Sequence, residues 1–241
     1  MKVARNPYPA VGLPLSMCGR FTIAPLVDLF DRFHVAERVP LPLPRYNVAP
    51  SQEVPVVIRE VGNRIVMMRW GLVPSWTKDE KTAGKPINAR AETLAERPTF
   101  RESLRSRRCL VPATGFYEWK KVGNARAPHH IRRKGGELFA FAGLYDRWRS
   151  ASGGELRTFT IITTEPNRTV SPLHDRMPAI LREADEERWL QSGPLEPTTL
   201  AGILAPYPDG MLEAYRVSPR VNSPAADGPD LVAPVQGAGL P

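Results

Sequence analysis

Cysteine is scarce in this chain: among 241 residues, Cys18 and Cys109 are the only two. Two thiols without any C-x-x-C spacing exclude a disulfide framework and a zinc ribbon. Free thiols set a reducing cytoplasm as the expected compartment. Long apolar runs are missing too, and none approaches the ~20 residues that a membrane-spanning helix needs. The opening MKVARNPYPAVGLPLSM has two basic residues, but its apolar stretch is short and broken by Pro9 and Pro14, which makes it a poor secretory signal. Internal repeats and composition breaks are absent as well, so nothing marks a second domain.

Proline, by contrast, is abundant. Its 26 residues are about twice the usual share, which argues against long helices and for a loop-rich body of short strands. Lys and Arg number 33 against 25 Asp and Glu, a net charge of +8 with a sequence pI near 9.8. That excess suits a polyanionic partner such as nucleic acid, although a solvated basic surface explains it equally well.

Local patterns place the elements. Residues 1–17 read as an unstructured leader and 236–241 as a flexible tail, with one domain over 18–235. Leu26, Phe30 and Phe33 recur at helical spacing behind Pro25, predicting a short amphipathic helix over 25–34. Val54–Ile58 and Arg64–Trp70 predict a hairpin through Val61-Gly62-Asn63. Two helical turns are expected over Glu92–Arg97 and Thr99–Arg107, and one strand over Cys109–Trp119. His129–Arg132 and Leu138–Ala142 flank Gly135-Gly136, a second hairpin signal. Phe159–Thr164 reads as a strand, Ala184–Gln191 as a short helix, and Leu212–Val217 as a last strand. The expected class is α+β, mainly antiparallel strands with short helices around them.

Polar residues that packing does not explain fall in the runs Met17-Cys18-Gly19-Arg20-Phe21, Ile87-Asn88-Ala89-Arg90-Ala91-Glu92-Thr93, Gly115-Phe116-Tyr117-Glu118-Trp119 and His174-Asp175-Arg176-Met177-Pro178. Each alone has an ordinary explanation. Cys18 suits a small buried hydrophobe, Asn88 a helix cap, Glu118 the wet face of a half-buried strand, and His174 a core histidine.

Together these runs resemble the SOS response-associated peptidase family. CGRF, RYNVAP, WGLVPSW, INARAET, GFYEW and HDRMP stand in the family's order, and Val217-Ser218-Pro219-Arg220-Val221-Asn222 is similar to its C-terminal signature. The resemblance covers about residues 18–235. It implies a barrel-like antiparallel sheet and an enzyme that captures abasic sites in single-stranded DNA covalently during the DNA damage response. Lyase and autopeptidase activities are associated expectations.

What the resemblance implies for the residues agrees with their chemistry. A ring-opened abasic site exposes an aldehyde. An N-terminal cysteine offers an α-amine and a thiol on adjacent carbons, so a Schiff base can close to a five-membered thiazolidine by an intramolecular step. An α-amine titrates near 7.7–8.0, far closer to neutrality than a lysine at roughly 10.4. Cys18 is the expected nucleophile. His174 is the expected proton shuttle, histidine being the side chain suited to exchange near neutral pH. Glu118 beside two aromatics is expected to be desolvated and to act as acid and base. Asn88 has the donor and acceptor needed to orient the cysteine and the sugar oxygen. Arg20, Arg90 and Arg176 correspond to phosphate-holding arginines. Asn47, Pro50 and Trp76 correspond to a wedge that stacks on neighbouring bases, and Thr163 is a further DNA-contacting candidate. Thr77 stands where some relatives carry a second tryptophan. No metal or cofactor is expected, and His34, His129 and His130 read as surface or structural.

The chemistry needs a free amine on Cys18. Initiation at Met17 with removal of the methionine gives one, and this start is preferred over self-cleavage of a leader. A monomer acting near the nucleoid is expected. Two rival readings remain: a cysteine peptidase built on Cys18, His174 and Asn88, and a non-catalytic reader of modified cytosine in DNA.

Overall fold

The computed structural model describes residues 18–24 and 28–235. In chain order its strands are β1 Phe21–Ile23, β2 Arg45–Val48, β3 Glu53–Arg59, β4 Asn63–Trp70, β5 Asn88–Arg90, β6 Arg108–Ala113, β7 Gly115–Val122, β8 Ala125–Arg133, β9 Phe139–Arg149, β10 Glu155–Thr164, β11 Met177–Pro178 and β12 Leu212–Arg216. The helices are short: α1 Leu29–Arg32, α2 Pro98–Ser106, α3 Glu183–Leu190 and α4 Pro197–Ile203. None is long and apolar enough to cross a membrane.

The strands form two sheets. One runs β12-β8-β7-β1-β2; the other runs β11-β10-β4-β3-β6-β9, and β9 pairs again with β10, closing a barrel of β3, β4, β10, β9 and β6. Closure leaves no free edge around that ring. Pairing is antiparallel except where β10 runs parallel to β4 and to β5. The α+β, mainly antiparallel, barrel-like expectation is therefore met. Phe21 and Phe116 of the first sheet pack edge-on against Phe141 of the second, at centroid separations of 5.9 and 6.0 Å, so one aromatic cluster joins the two.

Local rules explain the helices. Asp28 caps α1 by accepting from Phe30 N–H and Asp31 N–H. α1 is shorter than predicted because His34 adopts a left-handed conformation (φ 53°) just after Phe33; residues 25–27 of the expected helix lie outside the described residues. α2 has Pro98 in its first turn and buries Phe100, Ser103 and Leu104. α3 matches its expected span closely and puts Glu183, Asp185 and Glu186 at the positive end of the helix dipole.

Two expectations are corrected. Cys109–Trp119 is not one strand. The chain changes sheet at Thr114, whose N–H donates to Thr22 O and whose hydroxyl donates to Ala24 O. Gly115 permits the turn, since a Cβ there would lie 2.2 Å from His130 Nε2. Gly135-Gly136 likewise does not join a hairpin. β8 pairs with β7 and β12, whereas β9 pairs with β6 and β10, so this turn connects the two sheets. In both places an alternating apolar pattern continues across a change of sheet, because both sheets present an inward face to the same core.

The C-terminal segment wraps the outer face of β7. Tyr117 and Trp119 form a small second core with Val217, Val221 and Leu231. Alternation then turns Phe116 and Glu118 to the opposite face.

Candidate active site

Cys18 lies immediately before β1 and is buried, with 2% of its surface exposed. Its backbone nitrogen donates to Glu118 Oε1 at 2.9 Å, and the same carboxyl acts electrostatically on its thiol. β1 pairs antiparallel with the start of β7, Phe21 opposite Phe116, which brings residues a hundred positions apart into contact. Both nucleophilic atoms of Cys18 thus share one carboxyl group.

Glu118 is 3% exposed. Burial pushes its carboxyl above the usual carboxylate range, against the opposing pull of His174 and of the Cys18 hydrogen bonds. Burial likewise pushes the Cys18 thiol well up, reinforced by the Glu118 charge and partly opposed by Arg176. A thiol held neutral is a poor free nucleophile, since the reactive species is the thiolate.

His174 is half-buried in the turn before β11. Its Nδ1 lies 3.0 Å from the Arg176 N–H and 2.9 Å from Asp175 Oδ1. One ring nitrogen cannot serve both. A backbone N–H only donates, so in the neutral ring Nδ1 accepts from Arg176 and the proton sits on Nε2; protonation of Nδ1 would turn it to Asp175.

The arginine of the same turn forms a fork. Arg176 donates from both terminal nitrogens to Glu92, at 2.7 and 2.9 Å, and to Thr163 O at 2.7 Å. Its hydrogen bonds, aided by its charge, hold the Glu92 carboxyl below the usual range. β5 lies along the end of β10, with Asn88 opposite Ile161 and Arg90 opposite Thr163. Asn88 is half-buried, Thr163 buried and Arg90 exposed. Cys18, Glu118, His174 and Arg176 therefore converge, and Asn88, Arg90 and Thr163 form an adjoining ridge through Thr163.

The remaining expected residues are placed differently. Arg20 turns to the C-terminal segment, donating to Asn47 Oδ1, Val221 O and Asn222 O. Asn47 is fully buried, and its amide donates to Val221 O, Ser223 O and Ala226 O. Asn47 is turned inward and Arg20 is half-buried, and both fasten the β1–β2 end to the C-terminal wrap. Pro50 is half-buried at the turn after β2, and Trp76 projects from its loop with 67% exposure. His129 and His130 are buried; His130 bridges Thr22 Oγ1 and Tyr215 OH, and burial lowers its pKa to about 3.

Three participants were missed in the sequence. Asp175 acts electrostatically on both Cys18 and Glu118, and Glu92 pairs with Arg176. Both sit inside runs already singled out, where a carboxylate beside an arginine was the available signal. Asn222 ties the site together from behind: its Oδ1 accepts from Trp119 Nε1 and its backbone O from Arg20. No local pattern foretold that contact.

The family model described as SOS response associated peptidase (SRAP) matches residues 17–224. The chain is 46% identical over 221 residues to "Abasic site processing protein YoqW" of Bacillus subtilis, covering 90% of this chain and 99% of that one. It is 33% identical over 227 residues to "Abasic site processing protein HMCES" of Gallus gallus, covering 80% and 67% respectively. A crystal structure of a Bacteroides thetaiotaomicron protein superposes with a TM-score of 0.72 at 34% identity, covering 79% of this chain and 85% of that one. The fold and site define a barrel protein in which the half-buried His174 stands beside the buried Cys18 and Glu118. The chain belongs to the SOS response associated peptidase (SRAP) family.

Proposed function

We propose that this protein captures abasic sites in single-stranded DNA covalently, with Cys18 as its first residue after Met17 is removed. The observation that carries the reading is the Cys18 nitrogen 2.9 Å from Glu118 Oε1, the carboxyl that also acts electrostatically on the thiol. Similarity to abasic site processing proteins supplies the substrate class, and the family match beginning at residue 17 supports the start.

The chemistry then runs as follows. The amine attacks the aldehyde carbon, and its proton passes to Glu118. Loss of the former carbonyl oxygen as water leaves an imine. The sulfur adds to the imine carbon, the thiol proton ends on nitrogen, and the ring closes with net loss of one water. Glu118 is suited to these transfers because burial raises its proton affinity, so that it can accept the amine's proton and return it. His174 serves ring opening of the sugar, with Nε2–H as donor, and Asn88 orients the substrate beside it. No step calls for a metal or cofactor. The neutral, buried thiol speaks against a thiolate-dependent general peptidase, whereas in ring closure its proton passes to the imine nitrogen as the sulfur adds.

DNA contact falls to the ridge beside the site. Arg90 and Arg176 hold flanking phosphates, Thr163 lies between them, and Pro50 and Trp76 stack on bases. Arg20 and Asn47 act through the segment they hold. Equilibrium binding to undamaged single strands at several salt concentrations tests this arrangement. Arg90→Ala should weaken binding and reduce the log–log salt slope by roughly 0.7. Arg176→Ala should cost more affinity, because it also leaves Glu92 as an unpaired carboxylate facing the DNA. Unchanged affinity and slope in both variants would move the DNA path elsewhere.

A further inference from the structure

The sheet that carries Glu118 changes character along one face. Across β7, β8 and β12 the register sets Phe116 opposite Ile131 and Ala214, and Glu118 opposite His129 and Arg216. Lys120 and Ala127 form the next row. Residues directly opposite in antiparallel strands point to the same side, and alternation returns each strand to that side at every second residue. The first row packs into the main core. The second holds the active-site carboxyl, and the face beyond it is cationic.

His129 supports this placement independently. It is 4% exposed; burial lowers its pKa against the pull of its hydrogen bond to Ala127 O, and the charges of Lys120 and Arg216 lower it further. Both cations therefore stand around one neutral imidazole. Lys120 is half-buried, Arg216 is exposed, and neither is in an ion pair among the described residues. Counter-ions are scarce here: residues 119–136 contain no Asp or Glu. In the C-terminal stretch Glu213, Asp227 and Asp230 are held by Arg132, Arg45 and Arg220. Two uncompensated positive charges carried on paired strands suit an anion. Lys120 lies about 7 Å from Glu118 along β7, and Arg216 about 10 Å from it across two strand spacings. Arg90 and Arg176, by contrast, belong to the second sheet, where β5 and β11 lie along β10.

We propose that Lys120 and Arg216 form a second phosphate-binding surface, which holds the DNA strand on the flank of the captured sugar opposite to the one held by Arg90 and Arg176. The proposal rests on the DNA-binding reading above and gives it a two-sided footprint: the strand enters the site over one sheet and leaves over the other.

Oligothymidylates with a single abasic site, placed centrally, near the 5′ end or near the 3′ end, test it on the full Met17-start protein. The readout is the second-order rate of adduct formation at limiting DNA, measured at several salt concentrations. Lys120→Gln and Arg216→Gln should each reduce the log–log salt slope by roughly 0.7 on the central substrate. With the site near an end, that reduction should persist on one substrate only, and Arg90→Ala should be felt on the other. Lys121→Gln and Arg126→Gln are the control, since these exposed cations pair across the same hairpin on its other face. They should leave the slope nearly unchanged, and unchanged thermal melting would show that all the variants fold. If Lys120→Gln and Arg216→Gln react as the unmodified protein does while Arg90→Ala is slowed, the strand does not cross this surface but the DNA reading stands. Equal losses in the control variants would reduce the effect to general charge attraction, and a response of Arg90→Ala to the same end would place both groups on one flank; either overturns the proposal. If the rate of the unmodified protein does not depend on salt at all, the DNA reading fails and the surface with it.

Discussion

Cys18→Ser, prepared from the Met17 start with methionine removed, should give no adduct that survives heat and denaturant on single-stranded DNA carrying an abasic site. Cys18→Ala should behave the same way. The serine variant keeps the α-amine beside Glu118 and so still forms an imine. Its hydroxyl closes an oxazolidine ring poorly, and the imine hydrolyses back to aldehyde. Denaturing electrophoresis after a fixed incubation reads the difference as near-complete loss. Reduction with borohydride should rescue part of the Cys18→Ser adduct by trapping the imine. A stable adduct from either variant without reduction would assign the covalent step to another nucleophile.

Glu118→Gln should slow adduct formation by roughly 10²–10⁴-fold, the usual contribution of a positioned acid or base. The amide keeps an acceptor for the Cys18 nitrogen but cannot take its proton. Stability should move the other way. Because burial raises the Glu118 carboxyl, the folded protein binds this proton more tightly than the unfolded chain does. Its favourable contribution is complete below the unfolded pKa, and it is lost as pH rises from there through the folded value. Glu118→Gln has no such charge to bury, so it should melt above the unmodified protein at pH 8, with the gap narrowing toward pH 4. Single-turnover crosslinking together with melting at both pH values checks the pair. A normal rate would reduce Glu118 to a structural residue. A lower melting temperature at pH 8 would mean that its charge is stabilised in the fold.

Much of this arrangement was legible in the sequence because it is carried by short contiguous runs. β3 and β4 announced themselves by two apolar segments around Val61-Gly62-Asn63, and α3 by its acidic first turn and apolar end. Cys18, Glu118 and His174 each lie in a run whose polar residues packing does not explain, and the fold brings them together. Other features depend on contacts between distant residues. The change of sheet at Thr114 is invisible locally, since β6 and β7 are both buried and Gly115 matters only because His130 stands against it. Arg20 and Asn47 stand in recognisable motifs, but their hold on backbone carbonyls of residues 221–226 depends on a segment nearly two hundred positions away. Glu92 and Asp175 passed as bystanders because a carboxylate's role depends on which cation the fold sets beside it.

Mass analysis of the crosslinked N-terminal peptide bears most directly on the proposed mechanism. The Met17-start protein is reacted with an abasic oligonucleotide without any reductant, digested with protease and nuclease, and sequenced by fragmentation. The expected peptide begins at Cys18 and carries the sugar remnant on that residue, at the summed mass less one water, with no free thiol. An adduct on a lysine, a Cys18 that still alkylates, or equal crosslinking when residues remain in front of Cys18 would contradict the thiazolidine and the role of the free amine.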